Sequence, residues 1–87
     1  MPHRVTNTGS ASYCVKPGWG YIVEVYNAQG KMVERYTAGD SASDSQVYET
    51  GDLTEQELVR YARRTARDLL QERALRGSVR RVADLCA

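Results

Sequence analysis

The six residues Leu53-Thr54-Glu55-Gln56-Glu57-Leu58 constrain this chain more than any other short run. Thr54 at the N-cap and Glu57 three residues later form a capping box, in which each side chain accepts from the other residue's backbone N–H. Leu53 before the cap and Leu58 at N4 complete a hydrophobic staple, which sets the angle at which the chain runs into the helix. A helix must therefore start here. At about 100° per residue, Leu58, Val59, Ala62, Ala66, Leu69 and Leu70 fall within one arc of roughly 120°. Arg60, Arg63, Arg64 and Arg67 gather on the opposite side. The spacing predicts a main helix over 54–76 that packs its aliphatic stripe on a sheet and shows arginines to solvent. Gly77 is the natural C′ stop. Ser78 then caps a short second helix over 78–86, where Val79, Val82 and Leu85 or Cys86 recur at helical spacing.

The residues before the box read as strands and turns. Trp19–Tyr26, WGYIVEVY, is dense in β-branched and aromatic residues. It puts Tyr21, Val23 and Val25 on one face and Ile22, Glu24 and Tyr26 on the other. Asn27-Ala28-Gln29-Gly30 is a turn, and a hairpin to a strand over Lys31–Thr37 follows. Tyr13 and Val15 alternate with polar residues in a strand over Ser12–Lys16, and Pro17-Gly18 turns the chain. Residues 1–11 are expected as a loose arm, with a short strand around Arg4–Thr6. Ala38–Ser45 is expected as the most mobile interior loop, and Gln46–Glu49 as a further short strand. The resulting fold is a single α+β domain over 1–87: an antiparallel three- to four-stranded sheet over 12–50, packed on one long C-terminal helix and followed by a short helix.

Charge divides along the same boundary. The 87 residues carry a formal charge of +1, which argues against a bulk polyanion binder and against an acidic DNA mimic. The 41% apolar content supports a packed core. Residues 1–52 hold four basic and six acidic residues (4 − 6 = −2), and residues 53–87 hold eight arginines and five acids (8 − 5 = +3). The arginine face meets either phosphate or an acidic protein surface. Alternatively it is a solvated helix face, with Arg64 and Asp68 paired at i,i+4. The second half of the chain has no lysine, and the fork shape of guanidinium favours directed carboxylate or phosphate contacts over diffuse attraction.

The chain has six tyrosines, one tryptophan and no phenylalanine. Tyr13, Trp19, Tyr21, Tyr26, Tyr36 and Tyr48 lie in the β half and Tyr61 on the helix. Phenols prefer to stay wet or hydrogen-bonded. Two readings follow: an aromatic outer sheet face suited to a protein interface, or half-buried rings flanking an aliphatic core. Asp40, Asp44, Glu49 and Asp52 fail the EF-hand test, because the sixth position from Asp40 is Ser45 and the twelfth is Gly51. His3 is the one histidine and has no framing motif. No catalysis, metal or cofactor is expected. Cys14 and Cys86 lack a CxxC partner. They are read as small packing residues, since the chain opens without an apolar leader and cytosolic thiols stay reduced. A bridge closing so long a loop would instead stabilise by about 4 kcal/mol. No apolar stretch approaches the roughly 20 residues that span a bilayer, and the expected location is the cytoplasm.

The run Pro17-Gly18, Tyr21, Val23, Val25, Gly30-Lys31-Met32-Val33 and Ala38-Gly39-Asp40-Ser41 resembles the hairpin of small phage-encoded type I anti-CRISPR proteins. It shares with them a PG turn, an alternating strand, a GKMV return strand and an AG-plus-Ser/Asp loop before a helix. The resemblance covers about a third of the chain. It implies a non-catalytic, cofactor-free inhibitor, a monomer or a dimer, that binds a Cas protein of a crRNA-guided type I effector in the host cytoplasm and blocks target-DNA binding or nuclease recruitment. The resemblance transfers a role and no contact residues; the residues themselves offer Trp19, Tyr21, Tyr26, Tyr36 and Tyr48, with Asp40 and Asp44 of the acidic loop, as contact groups. Arg60, Arg63, Arg64 and Arg67 form a second candidate patch. The chain also resembles the arm-binding domain of phage-type tyrosine integrases, a three-stranded sheet followed by a helix, whose strand opens like Trp19-Gly20-Tyr21. That likeness implies a sheet face in the DNA major groove. The sheet half departs from it in being net negative, whereas a duplex-binding sheet needs cations for phosphate. An oligomeric regulatory or structural phage protein is the third class.

Overall fold

The structure, a computed structural model, describes residues 7–39 and 50–87. The short strands expected at Arg4–Thr6 and Gln46–Glu49, and the loop from Asp40 to Ser45, lie outside the described residues, as does His3. The elements are β1 (Asn7–Lys16), β2 (Gly20–Asn27), β3 (Met32–Ala38), helix α1 (Glu55–Glu72), β4 (Leu75–Arg81) and a 3-10 turn (Ala83–Cys86). The strands form one sheet in the order β3-β2-β1-β4.

The fold is α+β as expected, but the sheet is mixed. β1, β2 and β3 run antiparallel, whereas β4 pairs with β1 in parallel. A parallel pair needs a long connection rather than a tight turn. Helix α1 supplies it by carrying the chain from β3 at one edge of the sheet to β4 at the other. Three expectations about residues 72–86 are corrected accordingly. The main helix ends at Glu72 instead of running to 76, residues 75–81 are a strand, and only Ala83–Cys86 form a turn of helix. The helix stops at Ala74, which has φ 55°, rather than at Gly77. Ser78 caps nothing; it lies within β4 beside Ser10. Gly77 serves close approach instead: a Cβ there would meet the Gly9 carbonyl oxygen at 1.6 Å. Nor is the arm loose over its whole expected length, because residues 7–11 belong to β1.

Local chemistry decides the remaining elements. The β2–β3 turn follows from Gly30 at φ 81° and from Asn27, whose Oδ1 accepts from the N–H groups of Gln29 and Lys31. The capping box of α1 is complete: Glu57 N–H donates to Thr54 Oγ1 at 3.2 Å, and Thr54 N–H to Glu57 Oε1 at 2.9 Å. Leu58, Ala62, Ala66 and Leu70 are the buried stripe. The two central alanines let the helix lie close against the sheet, and a leucine at each end fills the flanks. Their partners are the inward residues of the sheet, Ala11, Tyr13 and Val15 on β1 and Tyr21, Val23 and Val25 on β2. Burial of a side chain such as Val23, Val25 or Leu58 contributes roughly 1.5–3 kcal/mol.

Cys14 and Cys86 are joined by a disulfide with a Cα–Cα distance of 5.8 Å, which corrects their reading as separate packing residues. Cys14 lies on the face of β1 turned away from the helix, opposite Ile22 of β2. The 3-10 turn folds back over that face and brings Cys86 to it. Among the described residues no helix is long and apolar enough to cross a membrane.

Candidate functional site

The sheet tyrosines do not share one face. Tyr21 sits beneath the helix and is only 7% exposed. Its hydroxyl lies 3.1 Å from Thr65 Oγ1 and its ring 6.0 Å from that of Tyr36. Burial, the largest cause, raises the Tyr21 pKa above the usual 10.0, and the Thr65 contact offsets part of that rise. Tyr13 is buried and Tyr36 half-buried on the same inner side. An outward aromatic face therefore fails at Tyr21 and Tyr36, and the half-buried alternative describes them better.

Tyr26 alone among the described tyrosines of the sheet stands on the outer face. Its hydroxyl donates to Glu24, and that bond is the main reason its pKa is raised. Arg35 completes the row, with Nε 3.5 Å from Glu24 Oε2. Trp19 is half-buried in the β1–β2 turn, where its carbonyl accepts from Thr50 Oγ1 at 3.0 Å. Together with Ile22, Leu85 and Cys86 it lines a hollow of about 220 Å³ under the C-terminal turn. Asp40, Asp44 and Tyr48 lie outside the described residues.

The arginines form the most coherent arrangement. Arg60, Arg64 and Arg67 are exposed on α1 and Arg63 is half-buried. The i,i+4 pair expected between Arg64 and Asp68 is not made. The ion pairs among the described residues are Arg35–Glu24, Arg73–Glu34 and Arg81–Glu55. The last two tie the ends of α1 to the sheet, from Arg73 just beyond its C-terminus to β3 and from Glu55 in its first turn to Arg81 of β4. Among the described residues, Arg60, Arg63, Arg64, Arg67, Arg76 and Arg80 form no side-chain hydrogen bond or ion pair.

Sequence reasoning missed Arg76 and Arg80 as site residues. They lie on β4, where Ser12 of β1 stands beside Arg80 and Thr8 beside Arg76, on the face away from the helix. The signal was present as an alternation, Leu75, Gly77 and Val79 inward against Arg76, Ser78 and Arg80 outward. Of the two sets only Arg67 of α1 and Arg76 of β4 come together, at a hollow of about 300 Å³ whose lining includes Leu70, Gln71 and Leu75; Arg80 lies on the far side of the sheet from the exposed face of α1. The arrangement is a basic flank with an apolar seam, suited to directed contacts with carboxylate or phosphate. Comparisons with family models, curated proteins and solved structures gave no match.

Proposed function

We propose that the chain is a non-catalytic binding module that covers an acidic surface of a protein partner with its arginine flank. The observation that carries this reading is the set of six guanidinium groups that have no partner among the described residues, on the exposed face of α1 and on edge strand β4. Arginine left unpaired on a protein surface contributes little to its own fold, whereas the same group directed at a carboxylate makes strong bidentate bonds. The anti-CRISPR resemblance of the hairpin supplies the partner class: a Cas protein of a type I effector, whose target-DNA binding or nuclease recruitment is blocked. The site thereby moves from the sheet tyrosines to Arg60, Arg63, Arg64, Arg67, Arg76 and Arg80. This reading places the protein in the host cytoplasm, where thiols are normally reduced. The Cys14–Cys86 bond is the feature that fits that compartment least well.

The integrase-like reading receives no comparable support. Its contact surface is the outer sheet face, which carries Arg76 and Arg80 on β4 but is covered in part by the disulfide-linked turn and has Arg35 paired with Glu24 toward the β3 edge. Co-elution with purified type I effector complexes tests the proposal. The expected result is a stable complex and loss of target cleavage, both abolished by the charge reversals Arg60→Glu and Arg64→Glu together. Failure to bind any member of a broad effector panel would overturn it.

A further inference from the structure

Among the described residues β4 ends the sheet, and none of them pairs with its outer edge. The parallel ladder to β1 is bounded by Asn7 N–H donating to the Ala74 carbonyl at 3.1 Å and Val82 N–H donating to the Tyr13 carbonyl at 2.7 Å. In such a ladder alternate residues turn both backbone groups to the same neighbour. The even-numbered residues 76, 78 and 80 therefore pair with β1. Leu75, Gly77, Val79 and Arg81 direct N–H and C=O to the free edge. No described residue satisfies these eight groups.

A bare strand edge is a template for another strand, and proteins protect such edges with charge. Here the charge is of one sign. β4 carries Arg76, Arg80 and Arg81, Arg67 stands across the hollow, and β4 contains no acid. A second copy of β4 laid against this edge would set arginines against arginines, at a cost. An extended acidic segment has the complementary charge. Its carboxylates on the outer face would lie beside Arg76 and Arg80, and its side chains on the inner face would meet the hollow floored by Leu70 and Leu75.

We propose that the free edge of β4 binds an extended acidic segment of a partner protein by strand addition, with acidic side chains on its outer face and apolar ones in the hollow beside α1. The proposal rests on the reading of the arginine flank as a docking surface and specifies how that surface engages. Backbone pairing supplies affinity in this mode, and the alternating side chains supply specificity. A sugar–phosphate chain would satisfy the arginines but offers no ladder of N–H and C=O groups and nothing apolar for the hollow, so the protein segment is favoured over nucleic acid.

The probe is an acetylated, amidated heptapeptide that alternates glutamate with valine and leucine, titrated against the full chain. Two analogues N-methylated at alternate residues, one for each peptide edge, keep its charge and remove its pairing. The expected result is binding that weakens by about tenfold or more in one methylated analogue and in both Arg76→Ala and Arg80→Ala. Bound peptide should slow hydrogen exchange at the amides of Leu75, Gly77, Val79 and Arg81. Equal binding by both analogues would overturn strand addition while leaving a charge-driven docking surface intact. No binding of the parent peptide, alongside effector binding that still depends on the arginines, would do the same. Protection of those four amides by a short DNA duplex and not by the peptide would overturn the protein-segment assignment. Concentration-dependent protection in the free protein would overturn it in favour of a second copy.

Discussion

Ala74 occupies the one left-handed backbone position among the described non-glycine residues. It is the C′ residue that ends α1, where Arg73 is the C-cap, a place usually filled by glycine because a Cβ there crowds the next carbonyl. The conformation costs alanine roughly 1–2 kcal/mol, partly offset by the greater freedom that glycine has in the unfolded chain. Ala74→Gly should therefore stabilise by about 0.5 kcal/mol and raise Tm by about 3 °C, read by thermal unfolding. Tyr21 gives a prediction of opposite kind. Its folded pKa is raised above 10.0 chiefly by burial, so the unfolded state releases the phenolic proton first as pH climbs. Its contribution is fully present below about pH 10 and lost as pH rises through the folded value. Denaturant midpoints should fall above pH 10, and Tyr21→Phe should flatten that fall while losing about 1 kcal/mol at neutral pH with the Thr65 contact.

At the scale of elements, what was legible depended on how local the cause is. The α1 start was plain because Thr54 and Glu57 satisfy each other's backbone three residues apart, with no help from the rest of the chain. The β2–β3 hairpin was equally local, with Asn27 and Gly30 shaping the turn. Residues 75–81 were misread because Val79, Val82 and Leu85 recur at helical spacing, although Val79 lies in a strand and Leu85 in the turn beyond it. The decision came from the unpaired side of β1, far away in sequence, and Ala74 offered no glycine to mark the stop. The disulfide was lost with it, since Cys86 reaches Cys14 only when β4 lies along β1. A third of the arginine site was hidden for the same reason: helical spacing collects Arg60, Arg63, Arg64 and Arg67, but Arg76 and Arg80 are added only once β4 is a strand. The bond closes a loop with a sequence separation of 72. Cys86→Ser, or a thiol reductant, should cost about 4 kcal/mol by the chain-entropy relation. Against the roughly 4–13 kcal/mol expected for a chain of this length, that is a large share. Denaturant titration of the oxidised and reduced protein checks it.

Across the whole molecule, the near-neutral total conceals a separation. Arg73 and Arg81 tie α1 to β3 and to β4, and six further arginines make no ion pair among the described residues. An arginine-rich flank attracts an oppositely charged surface before contact and fixes its orientation, and salt screens that attraction. If the proposed acidic partner docks on this flank, association should slow by about tenfold between 50 and 300 mM salt while dissociation changes less, measured by surface-immobilised kinetics.

The parallel pairing of β4 with β1 also orders events during synthesis. β1 is among the first described segments to be made, yet the strand that covers its second side is built only after the helix. Until residues 75–81 have left the ribosome, the Asn7–Lys16 strand lacks the β4 partner of its second edge and Cys14 lacks Cys86. Domains with such long-range closures fold slowly and are open to wrong pairings while they wait. A chaperone that shields strand edges would find its substrate here in the nascent chain, before the arginines of β4 arrive to guard the sheet.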